Sequence, residues 1–285
     1  MVLRQILHCW LGPKVREAVR REVGQAAAGE SGCDVGVVFA LEIEGGGFVD
    51  LLEQTVTIRG KTFTARRGTL QARRVVAITS GAGLERAREA TEALIDAHRP
   101  TWVISAGFAG GLSDALGRHD LVVADSVVGP SGERVTLDLP FDPNTLGMSV
   151  HVGALLTVEK IVRRPEEKRG LGERFGAAAV DTETAVVAEV CRQRGVPVAA
   201  VRVLTDAVDE TLPPDVQRLT DQTTTAARLG AALGTVWRRP KSVKDLWALN
   251  ETALVGSDRL AKCLVRLVET LVPVAGQHVH GEGSV

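Results

Sequence analysis

Short, nearly uninterrupted apolar runs alternate along this chain with longer amphipathic stretches, and that alternation limits the fold more than any other feature. The runs 35–40, 75–79, 102–106, 121–124 and 198–204 are bounded by turn or polar residues and read as buried strands. A strand covered on both faces shows a continuous apolar run, whereas a half-exposed one alternates. Between them, 84–98 reads as an amphipathic helix, as does 182–194, which Gly195 and Pro197 close. Strands alternating with helices predict an α/β fold with a parallel or mixed central sheet. No repeat recurs at a fixed period.

The flanks lie outside this pattern. Leu3, Ile6, Leu7, Trp10, Val15, Ala18 and Val19 recur near helical spacing, so 1–32 is expected to be a helical extension. Residues 1–16 carry Arg4, Lys14 and Arg16 with no acid, as a targeting peptide would, but Gln5 and His8 interrupt the apolar stretch. A packing helix is the expectation. A helix over 216–236 should follow the turn at Leu212-Pro213-Pro214-Asp215, and 238–241 reads as a linker. Beyond it, Leu246, Leu249, Leu254, Leu260, Leu264, Leu267, Val268 and Leu271 mark one or two further helices. The expected organisation is one α/β domain over 33–237, an N-terminal extension over 1–32, and a C-terminal helical extension with a flexible tail over 238–285.

Charge and composition exclude several functions. Lys and Arg number 34 against 35 Asp and Glu, so no basic surface for phosphates is implied. Only 4% of residues are aromatic and tyrosine is absent, which argues against a stacking platform for nucleic acid. Cys9, Cys33, Cys191 and Cys263 form no CxxC pair and have no histidine at zinc-ligand spacing, so reduced, packed thiols in a cytoplasmic protein are expected. His278 and His280 sit in a Gly-rich tail and read as a solvated end; no metal and no organic cofactor are expected. No apolar run approaches the ~20 residues of a membrane span.

Three places could carry chemistry, because each joins a strand end to small residues and acids. The first is the run 36–47, in which a strand leads to Glu42, Glu44 and three glycines. It could bring Glu44 to a crevice or leave it a solvated acid opening a flexible loop. The second is a pair of glycine turns after strands, Ser80-Gly81-Ala82-Gly83 and Gly107-Phe108-Ala109-Gly110-Gly111. Such turns let backbone amides approach a ligand, and Ser80 adds a hydroxyl. They lack the dinucleotide fingerprint and a Walker lysine. The third is Asp181-Thr182-Glu183 at a helix start, followed by Arg202 and Thr205-Asp206 at the end of a strand. An acid at either point is a helix cap or a functional group.

In this order, GxxxAxExE, SGxG, GxAGGL, a turn at Arg118-His119-Asp120, VDxE and VRxxxD resemble the nucleoside phosphorylase and nucleosidase superfamily. The hydrolytic branch that cleaves 5'-methylthioadenosine and S-adenosylhomocysteine is closest in layout, and the resemblance covers about 34–236. The Glu167-Lys168 segment and the run 209–214 are similar to adenosylhopane-cleaving nucleosidases. The resemblance implies a single three-layer domain with a central mixed sheet, binding a small purine nucleoside and forming a homodimer.

It also implies roles. Glu44 would orient and deprotonate the attacking water, Glu183 would bind ribose hydroxyls, Asp206 would protonate the purine at N7, and Arg202 would support that end of the site. Ser80 and Thr205 would line the pocket, with Gly81, Phe108, Ala109, Gly110, Asp181 and Thr182 beside them. Cleaving an N-glycosidic bond builds positive charge on the sugar while electrons enter the base, so a proton donor at the base and negative charge at the ribose suit the reaction. An acid at Glu44 favours water over phosphate as acceptor. Arg86 and Arg88 keep phosphorolysis open if one turns inward, although a solvated face is the expectation. A nucleoside-binding protein without catalysis is the third reading. Two departures bear on the substrate. Thr182 stands where relatives place a methionine, and the region 155–162 lacks the base-stacking phenylalanine. Phe39 and Phe108 are then the nearest aromatic candidates for the base.

Overall fold

The computed structural model describes residues 32–213 and 242–273. The expected helix over 1–32, apart from residue 32 itself, the helix over 216–236, the linker 238–241, Cys9, His278 and His280 lie outside the described residues.

The elements run β1 (Val35–Phe39), α1 (Glu42–Val49), β2 (Glu53–Arg59), β3 (Thr64–Leu70), β4 (Arg73–Thr79), α2 (Leu84–His98), β5 (Trp102–Gly111), β6 (Leu121–Val128), β7 (Arg134–Thr136), a 3-10 turn (Pro143–Leu146), β8 (His151–Thr157), α3 (Pro165–Phe175), β9 (Ala179–Asp181), α4 (Thr184–Arg194), β10 (Val198–Asp206) and α5 (Ser242–Leu271). All five expected strands form. Helix α2 has the predicted bounds, and α4 begins at Thr184 because Glu183 is its N-cap.

The strands make one mixed sheet organised around β5. Its first half pairs in parallel with β1 on one side, and β10 runs parallel along the other. Beyond Ser105, where β1 ends, β9 pairs antiparallel with β5 at Gly110 and Gly111. From β10 the pairing continues to β6, β8 and β9 and so returns to β5, closing five strands into a small barrel. The strands β1, β4, β3 and β2 extend from it as an open wing.

Successive side chains of a strand face opposite sides, so each face can meet its own helices. Val35, Val37 and Phe39 of β1 join Ile104, Val201 and Val203 in a core closed by Phe48 of α1 and by Leu260, Leu264 and Leu267 of α5. Val38, Val76, Ile78 and Val103 point the other way, onto Leu94 of α2 and Val187 and Val190 of α4. This is the expected three-layer arrangement. Each large apolar side chain so buried stabilises the fold by about 1.5–3 kcal/mol.

The C-terminal leucines lie on one 30-residue helix, α5, rather than on two. Leu260, Leu264, Leu267 and Leu271 fall on one stripe, which seats the helix on the sheet without a break. Buried Arg73 of β4 donates to the carbonyls of Val272 (2.6 Å) and Glu269 (3.5 Å), satisfying the helix C-terminus. Cys33, Cys191 and Cys263 are buried free thiols that burial pushes up to about 12. Among the described residues no helix is long and apolar enough to cross a membrane.

Two local expectations are overturned. The segment 107–111 is not a turn but the second half of β5, because both of its edges find hydrogen-bonding partners. The three glycines 45–47 are not a flexible loop but the middle of α1. Glycine weakens a helix by about 1 kcal/mol relative to alanine. Here the missing side chains let α1 approach its neighbours: a Cβ at Gly45 would lie 2.8 Å from the Phe39 ring, and one at Gly47 would lie 3.2 Å from the Ser257 carbonyl of α5.

Candidate active site

Four strands of the sheet, β4, β1, β5 and β10, run parallel to one another in that order. Their carboxyl ends therefore open on one side of the sheet, where α/β folds form ligand crevices.

After β1, Glu44 lies in the first turn of α1 and is buried rather than solvated. Its Oε2 accepts from the amides of Ala40 (2.9 Å) and Leu41 (2.8 Å), so the carboxylate closes its own helix start. Its Oε1 accepts from the Phe108 amide of β5 at 3.0 Å. Burial foremost, and then the charge of Glu183, push its carboxyl up to about 7; the backbone amides and Arg202 act in the lowering direction.

After β4, Gly81 and Gly83 adopt φ values of 84° and 107°, a region glycine enters without strain, and turn the chain into α2. The Gly83 amide donates to Glu183 Oε1 at 2.8 Å, and the Thr182 hydroxyl donates to the same oxygen at 2.6 Å. Glu183 is buried, and burial followed by the nearby Asp181 raises its carboxyl above the usual range. The Ser80 hydroxyl faces the carbonyls of Gly81 (2.8 Å) and Phe39 (3.2 Å), not open space.

Arg202 of β10 is turned inward. Its Nε and Nη2 reach Asp181 Oδ2 at 2.9 and 2.7 Å, and Nη2 also donates to Thr184 Oγ1 (2.6 Å) and Ser105 Oγ (2.9 Å). Asp181 further accepts from the hydroxyls of Thr157 (2.7 Å) and Thr184. The pair thus ties β9 and the start of α4 to β10. Arg202, expected to support the base end of the site, meets Asp181, this hydroxyl cluster and the Val201 carbonyl (2.9 Å), and its charge acts in the lowering direction on Glu44 and Glu183.

Asp206 ends β10 and is 2% exposed. Thr205 donates to its Oδ1 at 2.9 Å. Lys168 of α3, fully buried, pairs with its Oδ2 and also donates to the carbonyls of Ala207 (2.8 Å) and Glu210 (2.9 Å). Burial raises the Asp206 carboxyl, while Lys168 pulls in the opposite direction. The glycines of β5 make room for these acids. A Cβ at Gly107 would stand 2.9 Å from Glu44 Oε1, and one at Gly110 would stand 3.1 Å from Asp206 Oδ2.

Glu44, Glu183 and Asp206 therefore all reach the expected strand-end region, with Gly81, Ala109, Gly110 and Thr205 beside them. The side chains of Ser80, Asp181, Thr182, Arg202 and Thr205 all bond to protein groups, those of Thr182 and Thr205 to the acids Glu183 and Asp206 themselves. Phe39 is a core residue, its ring 6.3 Å from that of Phe48, which overturns it as a base-stacking candidate. The Phe108 ring is half-buried beside Gly256 of α5. Arg88 is not simply solvated: it pairs with Glu189 of α4 at 2.6 Å, and Arg86 lies along Gly81.

Sequence reasoning assigned no role to Lys168, Ser105, Thr157 or Thr184. A lysine in Pro165-Glu-Glu-Lys168 has the pattern of a solvated helix start, and nothing in its spacing signals burial. Among the described residues no group of three or more His, Cys, Asp or Glu is arranged to hold a metal ion.

The model of the phosphorylase superfamily matches residues 34–144 and 135–235, a span that contains every one of these site residues except Gly256 of α5. The chain belongs to the phosphorylase superfamily. Within that superfamily, it is 28% identical over 207 residues to the 5'-methylthioadenosine/S-adenosylhomocysteine nucleosidase of Shewanella halifaxensis, covering 64% of this chain and 89% of the relative. The fold is similar to that of the corresponding Helicobacter pylori nucleosidase, with a TM-score of 0.66 at 20% identity over 85% of this chain and 100% of that one. It is also similar to the H. pylori futalosine hydrolase, with a TM-score of 0.61 at 20% identity over 81% and 96% of the two chains.

Proposed function

We propose that this superfamily member is a purine nucleosidase that hydrolyses the N-glycosidic bond of a 5'-modified adenosine and releases adenine. The observation that carries this reading is the gathering of three buried carboxylates, Glu44, Glu183 and Asp206, at the carboxyl ends of one sheet. Burial raises all three above the ordinary range, Glu44 to about 7, and buried carboxyls with raised proton affinity in a crevice mark a functional site.

In this reading Asp206 gives its proton to N7 as the bond from C1' to N9 breaks and its electron pair enters the purine. Glu183, fixed by Gly83 and Thr182, holds the ribose hydroxyls. Glu44 takes a proton from the water that attacks C1'. A carboxyl near 7 is half ionised at neutral pH, as a general base requires. A carboxylate at the acceptor position repels a phosphate dianion, so water is the acceptor. The nucleosidase relatives and the futalosine hydrolase neighbour support a substrate enlarged at C5'.

We also propose a homodimer. Exposed Leu51, Leu254 and Val255, on or beside the packed pair α1 and α5, support it. Light scattering on a sizing column would give one monomer mass if this is wrong.

The deciding assay measures base release from methylthioadenosine, adenosylhomocysteine, adenosine and inosine, with and without phosphate. Adenine released at a rate indifferent to phosphate is the expected result. Strict dependence on phosphate would establish a phosphorylase, and nucleoside binding that raises the melting temperature without cleavage would establish a binding protein.

A further inference from the structure

A fully buried lysine is rare unless its charge is matched, and Lys168 is matched with unusual completeness. Its ammonium has three hydrogens and three acceptors: the Asp206 carboxylate, the Ala207 carbonyl and the Glu210 carbonyl. Two of these acceptors belong to the turn that follows Asp206. The lysine therefore fixes both the acid and the backbone that carries it.

The other groups around Asp206 leave Lys168 as its dominant charged neighbour among the described residues. Glu210, on the same turn, is paired with Arg118 of the β5–β6 connection at 2.5 Å. On the flanking strand β5, the residue opposite is Gly110, which has no side chain, and the Ala109 carbonyl faces Thr205. On β9, Asp181 is taken up by Arg202.

We infer that Lys168 is the positioning residue of the acid: it sets the pH at which Asp206 holds its proton and stabilises the carboxylate left when that proton goes to the purine. The inference rests on the role proposed for Asp206. Before transfer the acid is neutral and gains little from the ammonium; afterwards it is an anion beside a fixed cation. An interaction stronger after transfer than before lowers the barrier to transfer. The same charge favours ionised Asp206 in the free enzyme, so the acid is lost at lower pH than burial alone would give. Water from solvent returns the proton to Asp206 in each cycle.

The test compares Lys168→Met and Lys168→Gln with Lys168→Arg in the full-length protein. Glutamine keeps a donor for the Ala207 and Glu210 carbonyls and serves if the methionine variant does not fold. An opposite charge in contact lowers a carboxyl by about one to three units. In the neutral variants, the alkaline limb of kcat/KM should therefore move up by about one to three pH units while plateau kcat falls at least tenfold. Lys168→Arg should keep the limb near its wild-type position. A purely structural role would lower activity without moving the limb, and that result overturns the inference. Carbon-13 NMR titration of the Asp206 carboxyl, assigned against Asp206→Asn, reads the coupling even if no nucleoside is cleaved. An unchanged midpoint in the neutral variants overturns the inference by itself, whereas a moved midpoint without turnover upholds the coupling and counts against the nucleosidase reading.

Discussion

The carboxylate of Glu44 occupies the space that a side chain at position 107 would need. Its Oε1 lies 2.9 Å from where a Cβ on Gly107 would stand, and 3.0 Å from the amide of Phe108 that holds it. The glycine of β5 and the acid of α1 form one unit, although 63 residues of chain separate them. Gly107→Ala should displace the carboxylate and lower kcat/KM at least tenfold while the far-ultraviolet circular dichroism stays native. Gly46→Ala is its control. A Cβ there meets nothing within 4 Å, so the helix should gain about 0.5–1 kcal/mol and activity should hold. Equal activity in the two variants would count against the pairing.

Asp206→Asn removes the proton donor and should reduce kcat by about 10²–10⁴. It also leaves the buried ammonium of Lys168 facing an amide in place of a carboxylate. The melting temperature should fall as well, because a buried charge loses its counter-ion. Near-normal turnover would remove Asp206 from the mechanism.

Glu44 sets a pH dependence that can be followed in two ways. As a base it works when ionised, so the acid limb of kcat/KM should have a midpoint near 7 and activity should rise through it. Stability runs the other way. The folded carboxyl lies at about 7 against 4.5 for the free group, so its contribution is complete below 4.5 and is lost as pH rises through 7. The loss is on the order of 3 kcal/mol. Urea melts across this window should show a shallower decline for Glu44→Gln than for wild type; parallel declines would contradict the assignment.

Arg202 and Asp181 are expected to act on stability more than on chemistry. Both are buried, and removing one partner leaves a charge without its counter-ion. Arg202→Met should cost about 3–5 kcal/mol in urea unfolding. The double variant Arg202→Met with Asp181→Leu should recover part of that loss. If the single variant unfolds like wild type, the pair does not hold β9 to β10.

Much of the fold was legible from the chain because buried strands and amphipathic helices leave periodic marks. The bounds of α2 and the positions of β1, β4, β6 and β10 follow from such marks. Glu44, Glu183 and Asp206 were legible through the order of motifs that resemble a known superfamily, since an acid beyond a strand or at a helix start is by itself as readily a cap. What misled was glycine. In 45–47 and 107–111 it signalled turns, yet in both places it makes room, for α5 and Phe39 in the first and for two carboxylates in the second. A missing side chain looks the same in sequence whether it frees the backbone or admits a neighbour.

Order and residue type along the chain determined the alternation of buried strands and amphipathic helices, since that follows from local periodicity, while the three acids stood out through the motifs that resemble the phosphorylase superfamily. Tertiary structure alone decided the environment of each acid. Lys168 reaches Asp206 across 38 residues, Phe108 reaches Glu44 across 64, and Gly83 reaches Glu183 across 100. Proton affinity depends on burial and on charges a few ångströms away, and those distances are fixed only when the sheet closes and the helices settle on it.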